Sequence, residues 1–206
     1  MKKLITLSAI FFTSVSVFAQ NYIYDLNQTG FSLEALAGFP EGSNLYGINP
    51  SYTWNGRLTA GIGIFYEFID DYYLNAEIYA PNISYLLFKK ELDQNILNFG
   101  INSSYQITKS SSPNNLSSSN FNIGIGASMQ FNLDDNFKFT LGTGFSWGSI
   151  KVKNGSFEDT QGVTLHGFYG NLLFNKFFVQ PQISFIDIFY ESLSSFGISL
   201  GYLFNK

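Results

Sequence analysis

The chain carries a single histidine, His166, in the string Thr164-Leu165-His166-Gly167. Imidazole is the side chain best suited to general-base work near neutral pH, for instance activating a serine or orienting against a carboxylate. Its sequence neighbours Leu165 and Gly167 are neither nucleophile nor acid. A Ser-His-Asp site is defined by geometry and not by chain order, so its partners would have to come from adjoining elements. The plainer role for His166 is that of a polar or interfacial strand residue.

The other groups able to do chemistry are charged. Glu34, Arg57, Glu67, Glu77 and Lys138 each fall on the polar side of an alternating segment. If those polar sides face a narrow interior, each charge needs a partner or forfeits its solvation. The expectation is a polar network in which Glu34 or Glu77 pairs across the interior with Lys138. With no cysteine and one histidine, a zinc site is not expected. The acidic pairs Asp70-Asp71 and Glu158-Asp159 lack the regular ligand spacing of a calcium loop. The Gly-x-Gly strings at Gly61, Gly124 and Gly142 lie inside alternating segments and open no helix, so they are not phosphate-binding fingerprints. Inner-wall glycines that relieve crowding are the structural reading. No metal or cofactor is expected.

The elements that must position these residues are long period-2 segments. From Phe121 to Phe131 the residues Phe121, Ile123, Ile125, Ala127 and Met129 alternate with Asn122, Gly124, Gly126, Ser128 and Gln130. After a polar turn at 132–136, Phe137, Phe139, Leu141, Phe145 and Trp147 alternate with Lys138, Thr140, Gly142, Gly144, Ser146 and Gly148. Such alternation puts the apolar side chains on one strand face, over about twice the usual strand length of 5–6 residues. An apolar outer face with a small, polar inner face is the pattern of a transmembrane β-barrel. Ile125, Leu141, Ile183 and Leu200 are the central outward residues of their strands on this reading.

The same alternation runs from Phe31 to Phe39, through Leu45 to Trp54, and after Asn55-Gly56 from Leu58 to Phe68. Asn-Gly is the strongest short hairpin signal, because both central residues of a type I′ turn need φ > 0. Beyond Asp70-Asp71, the apolar set Leu74, Ala76, Ile78 and Ala80 changes parity at Pro81-Asn82 and continues as Ile83, Tyr85 and Leu87. A bulge there would carry the chain on as one strand. Lys89 to Asn95 reads as a turn, Lys109 to Asn120 as a low-complexity loop, and Lys151 to Thr160 and Ile188 to Ser194 as further loops. Strands remain at Ile96 to Ile107, Gly162 to Phe174, Phe177 to Phe185 and Phe196 to Phe204. The expectation is an all-β fold: a closed, antiparallel, up-and-down barrel of ten strands, or of eight if Tyr72 to Phe88 is not one bulged strand. The two longest connections share one end, as outer loops do.

At the N-terminus, Lys2 and Lys3 precede a mostly apolar run from Leu4 to Phe18, closed by Val17-Phe18-Ala19. This has the form of a cleaved export signal spanning residues 1–19, followed by a single barrel domain over 20–206. Cleavage would leave 187 of the 206 residues, with 9 basic and 15 acidic groups, a net charge of −6. That balance argues against nucleic acid as a partner.

The export signal, the Gly-rich aromatic strand from Gly142 to Gly148 and the closing strand from Phe196 to Phe204 resemble small bacterial outer-membrane β-barrel proteins, of the OmpA/OmpX-like or porin-like kind. The resemblance spans nearly the whole chain after residue 19. It implies residence in the outer membrane, contact with its lipid, and insertion by the barrel-assembly machinery. It also implies that an extracellular partner would be met through the outer loops. In that family an aromatic near the C-terminus of the last strand is the assembly signal, and here Phe204 precedes Asn205-Lys206. The family includes proteases, phospholipases and lipid A-modifying enzymes, for which His166 is the residue to test. A structural or surface-interaction role without catalysis is the leading expectation, and a narrow pore the alternative.

Overall fold

The computed structural model describes residues 27–40, 43–69, 74–92, 95–110, 117–134, 136–154, 156–188 and 191–204. Residues 1–19, the expected export signal, lie outside them. Ten strands follow one another around a closed wall: β1 (Gly30–Pro40), β2 (Ser43–Trp54), β3 (Leu58–Ile69), β4 (Leu74–Leu92), β5 (Asn95–Ser110), β6 (Ser117–Asn132), β7 (Phe137–Asn154), β8 (Phe157–Phe174), β9 (Phe177–Ile188) and β10 (Glu191–Phe204). Each pairs antiparallel with its neighbours, and β1 closes on β10 from Phe31 opposite Phe204 to Pro40 opposite Ser195. Closure leaves no unpaired sheet edge.

The local chemistry explains the joints. Asn55 and Gly56 have φ of 55° and 61°, and the Arg57 N–H donates to the Trp54 carbonyl at 3.0 Å. That is the tight Asn-Gly turn expected between β2 and β3. Prolines at positions 50, 81 and 181 lie inside strands, and each interrupts the ladder on one side only. The β2–β3 ladder lapses between Ile48–Ile64 and Ser51–Gly61, while Pro50 stays in register with Leu33 of β1. Pro81 and Pro181 behave alike, paired towards β3 and β10 and lapsing towards β5 and β8. A residue without an N–H loses one ladder bond and keeps the other side.

Facing follows the alternation. Ile125, Leu141, Ile183 and Leu200 all point outward, Leu141 and Leu200 being 49% and 57% exposed. At the turn end, Phe31 lies 5.5 Å from Phe204, with Phe177–Tyr202 and Tyr202–Phe204 at 4.8 Å. Towards the other end Tyr46 and Phe68 are 6.3 Å apart. A continuous apolar outer wall flanked by aromatic girdles suits hydrocarbon and not water. The chain is a transmembrane β-barrel of the outer-membrane kind.

Four expectations change. Strand β4 keeps one parity from Asn75 to Leu87, so no bulge occurs at Pro81-Asn82; the register shift lies between Leu86 and Phe88. Ala76, Ile78 and Ala80 therefore point inward and Glu77 outward. Polar segments expected to be loops are paired strand ends: Lys151 opposes Thr160 and Lys153 opposes Glu158. The supposed loop from Ile188 to Ser194 is likewise largely strand, with Ser192 opposite Asp187. The turn expected at Lys89 to Asn95 is paired down to Leu92 opposite Asn95. Alternation persists in these segments with Val152 inward and its lysine neighbours outward. A strand needs only about 9–11 residues to cross a bilayer. The 18 residues each of β7 and β8 therefore project beyond it, where outward lysines are at home.

Candidate functional site: the lumen

The interior is layered. Its outer half, towards the 111–116 connection, is filled by apolar side chains. Leu36, Leu45, Phe65, Ile78, Ile150 and Leu165 are buried in one cluster with Ala80, Val152, Val163 and Ile186. The Phe65 ring lies flat on the wall: a Cβ added to Gly47 or Gly63 would come within 2.1 Å of it. The same device recurs where Tyr169 covers Gly142 and Phe178 covers Gly201. These glycines clear space for a ring on the neighbouring strand or, at Gly63, two residues along its own strand, which is the crowding relief expected of Gly142. Gly61 and Gly124 make room in the same way for Ser51 and Asn102.

Below this cluster the lumen is a hydrogen-bonded network. Asn49 donates to Glu34 at 3.2 Å and accepts from Asn82 at 3.4 Å, linking β2 to β1 and β4. Ser32 and Ser51 meet at 2.6 Å, and Thr53 and Thr59 at 2.8 Å. On the far wall Asn171 donates to Gln180 at 3.1 Å, and Asn98 to Ser128 at 3.4 Å. All of these bonds but Asn82–Asn49, which reaches from β4 past β3 to β2, join adjoining strands, so the polar filling knits the wall as well as occupying the space. A small apolar patch of Leu173, Phe178 and Leu203 is buried near the turn end.

The charged residues singled out by sequence divide. Glu34 is buried within the lower network. Glu67 is fully buried beside the apolar cluster, where its Oε1 accepts from Ser43 Oγ at 3.0 Å and its Oε2 meets no donor among the described residues. Lys138 lies at the turn end of β7 on the inner side. Following the ladders, Lys138 opposes Leu173, Leu173 opposes Phe178, Phe178 opposes Gly201 and Gly201 opposes Glu34. The two charges thus share one rung of the ladders, four strands apart, along a line that climbs with the tilt of the strands.

Arg57 and Glu77 do not join them. Arg57 is an exposed turn residue at the barrel end, not a lumen group. Glu77 lies on the outer surface, accepting from Tyr79 Oη at 3.2 Å and lining a cavity of about 420 Å³ with Tyr66, Phe68, Asn75, Lys109 and Ser110. The run Leu74, Ala76, Ile78 and Ala80 has the look of a lipid face, which would put Glu77 inside; in the fold Ala76 is buried, and Ile78 and Ala80 belong to the apolar cluster with Phe65.

His166 also faces outward. Its ring stacks on Phe185 at 5.5 Å, and Phe145 is its cross-strand partner on β7. It borders a shallow outer groove of about 210 Å³ with Phe99, Ile125 and Thr143 among its walls. No carboxylate lines that groove among the described residues. The acidic pair at Glu158-Asp159 does not converge: Glu158 engages Lys151 and Lys153, while Asp159 accepts from Gln161 at 2.6 Å. Asp70-Asp71 lies outside the described residues. Sequence reading missed Asn49, Asn82 and Asn171 as network members, although their inward parity was available once the strands were phased.

No protein-family model matches the chain, and no curated protein matches it. Among solved structures, the chain is similar to the translocator domain of the autotransporter NalP from Neisseria meningitidis, with 12% identity, a TM-score of 0.45 and 97% of each chain covered. It is similar to the N-terminal β-barrel domain of Pseudomonas aeruginosa OprF, with 12% identity, a TM-score of 0.38, and 87% of this chain and 98% of that one covered. Neisserial surface protein A is similar at 11% identity and a TM-score of 0.39, covering 86% of this chain and 96% of its own.

Proposed function

We propose that this protein is a non-enzymatic outer-membrane barrel with a closed lumen, whose role is structural or carried by its outer loops through contact with an extracellular partner. The observation that supports closure is the apolar cluster across the outer half of the lumen. An ion crossing it would shed its hydration against Phe65, Ile78 and Ile150, at a cost far above thermal energy. Pairing of Lys138 with Glu34 across the lower lumen belongs to the same proposal, supported by their shared rung. Lipid turnover by His166 finds little support, since the ring faces outward among aromatics. During biogenesis the partner is the barrel-assembly machinery, and in place it is outer-membrane lipid.

The test is electrical. Purified protein inserted in planar bilayers is expected to show no steady ionic current at any holding potential the bilayer tolerates. A stable open channel in the unmodified protein would overturn closure and make the narrow pore the better reading.

A further inference from the structure

The inner faces of β5 and β6 are the exception to the apolar filling. The cluster draws on β1 to β4 and β7 to β9 and takes no residue from β5 or β6. The ladders show the gap directly. Ile78 of the cluster opposes Thr108, Thr108 opposes Ser118, and Ser118 opposes Val152 of the cluster. On the next rung inward Gln106 opposes Asn120, and Asn120 opposes Ile150. At both levels the apolar ring is broken by two strands' width of polar side chains. From Asn98 to Ser110 on β5, and from Ser118 to Asn132 on β6, the inward residues are amides, hydroxyls and glycines, with no charge.

These groups are also short of partners. Gln106 is fully buried and Asn120 is 1% exposed, and their mutual hydrogen bond of 3.5 Å is at the long limit. It leaves Gln106 Nε2 and Asn120 Oδ1 without a donor or acceptor among the described residues, as are the hydroxyls of Thr108 and Ser118. Further inward the same holds for Asn98 Oδ1, Ser104 Oγ and Ser146 Oγ. A native fold keeps few such atoms, and a run of them along adjoining strands calls for a hydrogen-bonding occupant.

We infer that the inner face of β5 and β6 is a permeation lane for water and small neutral polyols of glycerol size, shown here closed by Gln106 and Asn120. Such molecules carry both donors and acceptors, so they satisfy Nε2 and Oδ1 once the two amides turn apart. The backbone beside them is softened, because the β4–β5 ladder lapses at Pro81 between Tyr79–Ile107 and Asn82–Ser104. Ions are excluded: the lane offers no charge, and its flanks are Ile78, Ile150 and Val152. The lane therefore goes beyond the closed-lumen reading without opening the barrel to current.

Stopped-flow light scattering on proteoliposomes, with glycerol as the osmolyte, tests this. The unmodified protein is expected to speed both water efflux and glycerol entry severalfold over protein-free vesicles. Gln106→Leu, Asn120→Leu, Thr108→Val and Ser118→Ala together complete the apolar ring, and flux should then fall to the protein-free background. Heat-dependent gel mobility checks that this variant is folded. If it is not, the near-isosteric pair Thr108→Val and Ser118→Ala is read instead, with a partial loss expected. Background flux in the unmodified protein, or undiminished flux in the folded variant, would overturn the lane. A steady ionic current that the same substitutions abolish would overturn it too, since the path would then carry charge.

Discussion

In the outer half of the lumen Phe65 lies over Gly47 and Gly63 among aliphatic side chains; in the inner half Asn49 holds Glu34 on one side and Asn82 on the other. The first region asks of its residues only volume and shape. The second asks for a donor opposite every acceptor. Apolar filling tolerates small errors of register and excludes water and ions by its nature. Polar filling fixes which strand side chains must meet, and it fails one partner at a time.

The two regions should therefore break differently. Phe65→Ala removes the ring that two glycines were cleared to receive, and nothing nearby can collapse into its place. A loss of about 3–5 kcal/mol is expected, seen as a lower unfolding midpoint in detergent, whereas Phe65→Leu should be milder. An unchanged midpoint for Phe65→Ala would show that the outer half is not tightly filled. Asn49→Ala removes one partner each from Glu34 and Asn82, for an expected loss of about 1–3 kcal/mol. Asn49→Asp keeps the shape and sets a second carboxylate against Glu34, so at neutral pH it should be worse than alanine. If the two variants unfold alike, the Asn49–Glu34 bond is not what holds this layer.

The same contrast explains what the sequence made legible. Strands β6 and β7 were readable because one face is apolar and the other is small and polar along their membrane-crossing lengths. The outward placement of Ile125 and Leu141 follows from that alone. In the outer half of β4 the polarity inverts, with Ala76, Ile78 and Ala80 inward and Asn75 and Glu77 outward. A rule that sends apolar residues to lipid then assigns Glu77 to the wrong side. Only the downstream phase of Ile83, Tyr85 and Leu87, carried back through Pro81 without an offset, corrects it. The shared rung of Lys138 and Glu34 was beyond reach for another reason. It depends on the summed register of four ladders, and alternation fixes facing but not register.

The smallest effect is expected where the wall leaves the membrane. Glu158, on the projecting end of β8, is held by Lys151 and by Lys153, the latter at 3.2 Å, and these lysines keep its carboxyl below the ordinary 4.5. All three side chains are well exposed, so solvent and salt screen the interaction. A carboxyl with a depressed folded pKa stabilises the fold above its unfolded pKa, and that contribution fades as pH falls through the folded value. Glu158→Gln should therefore lower the unfolding midpoint slightly at neutral pH and low salt. The gap from the unmodified protein should close in acid below the folded pKa, and also at high salt. Neither half of the lumen should respond to salt in this way, because both are shielded from it. A difference that persists undiminished in acid and in salt would mean that Glu158 acts through packing, and that the projecting strands share the lumen's character and not the solvent's.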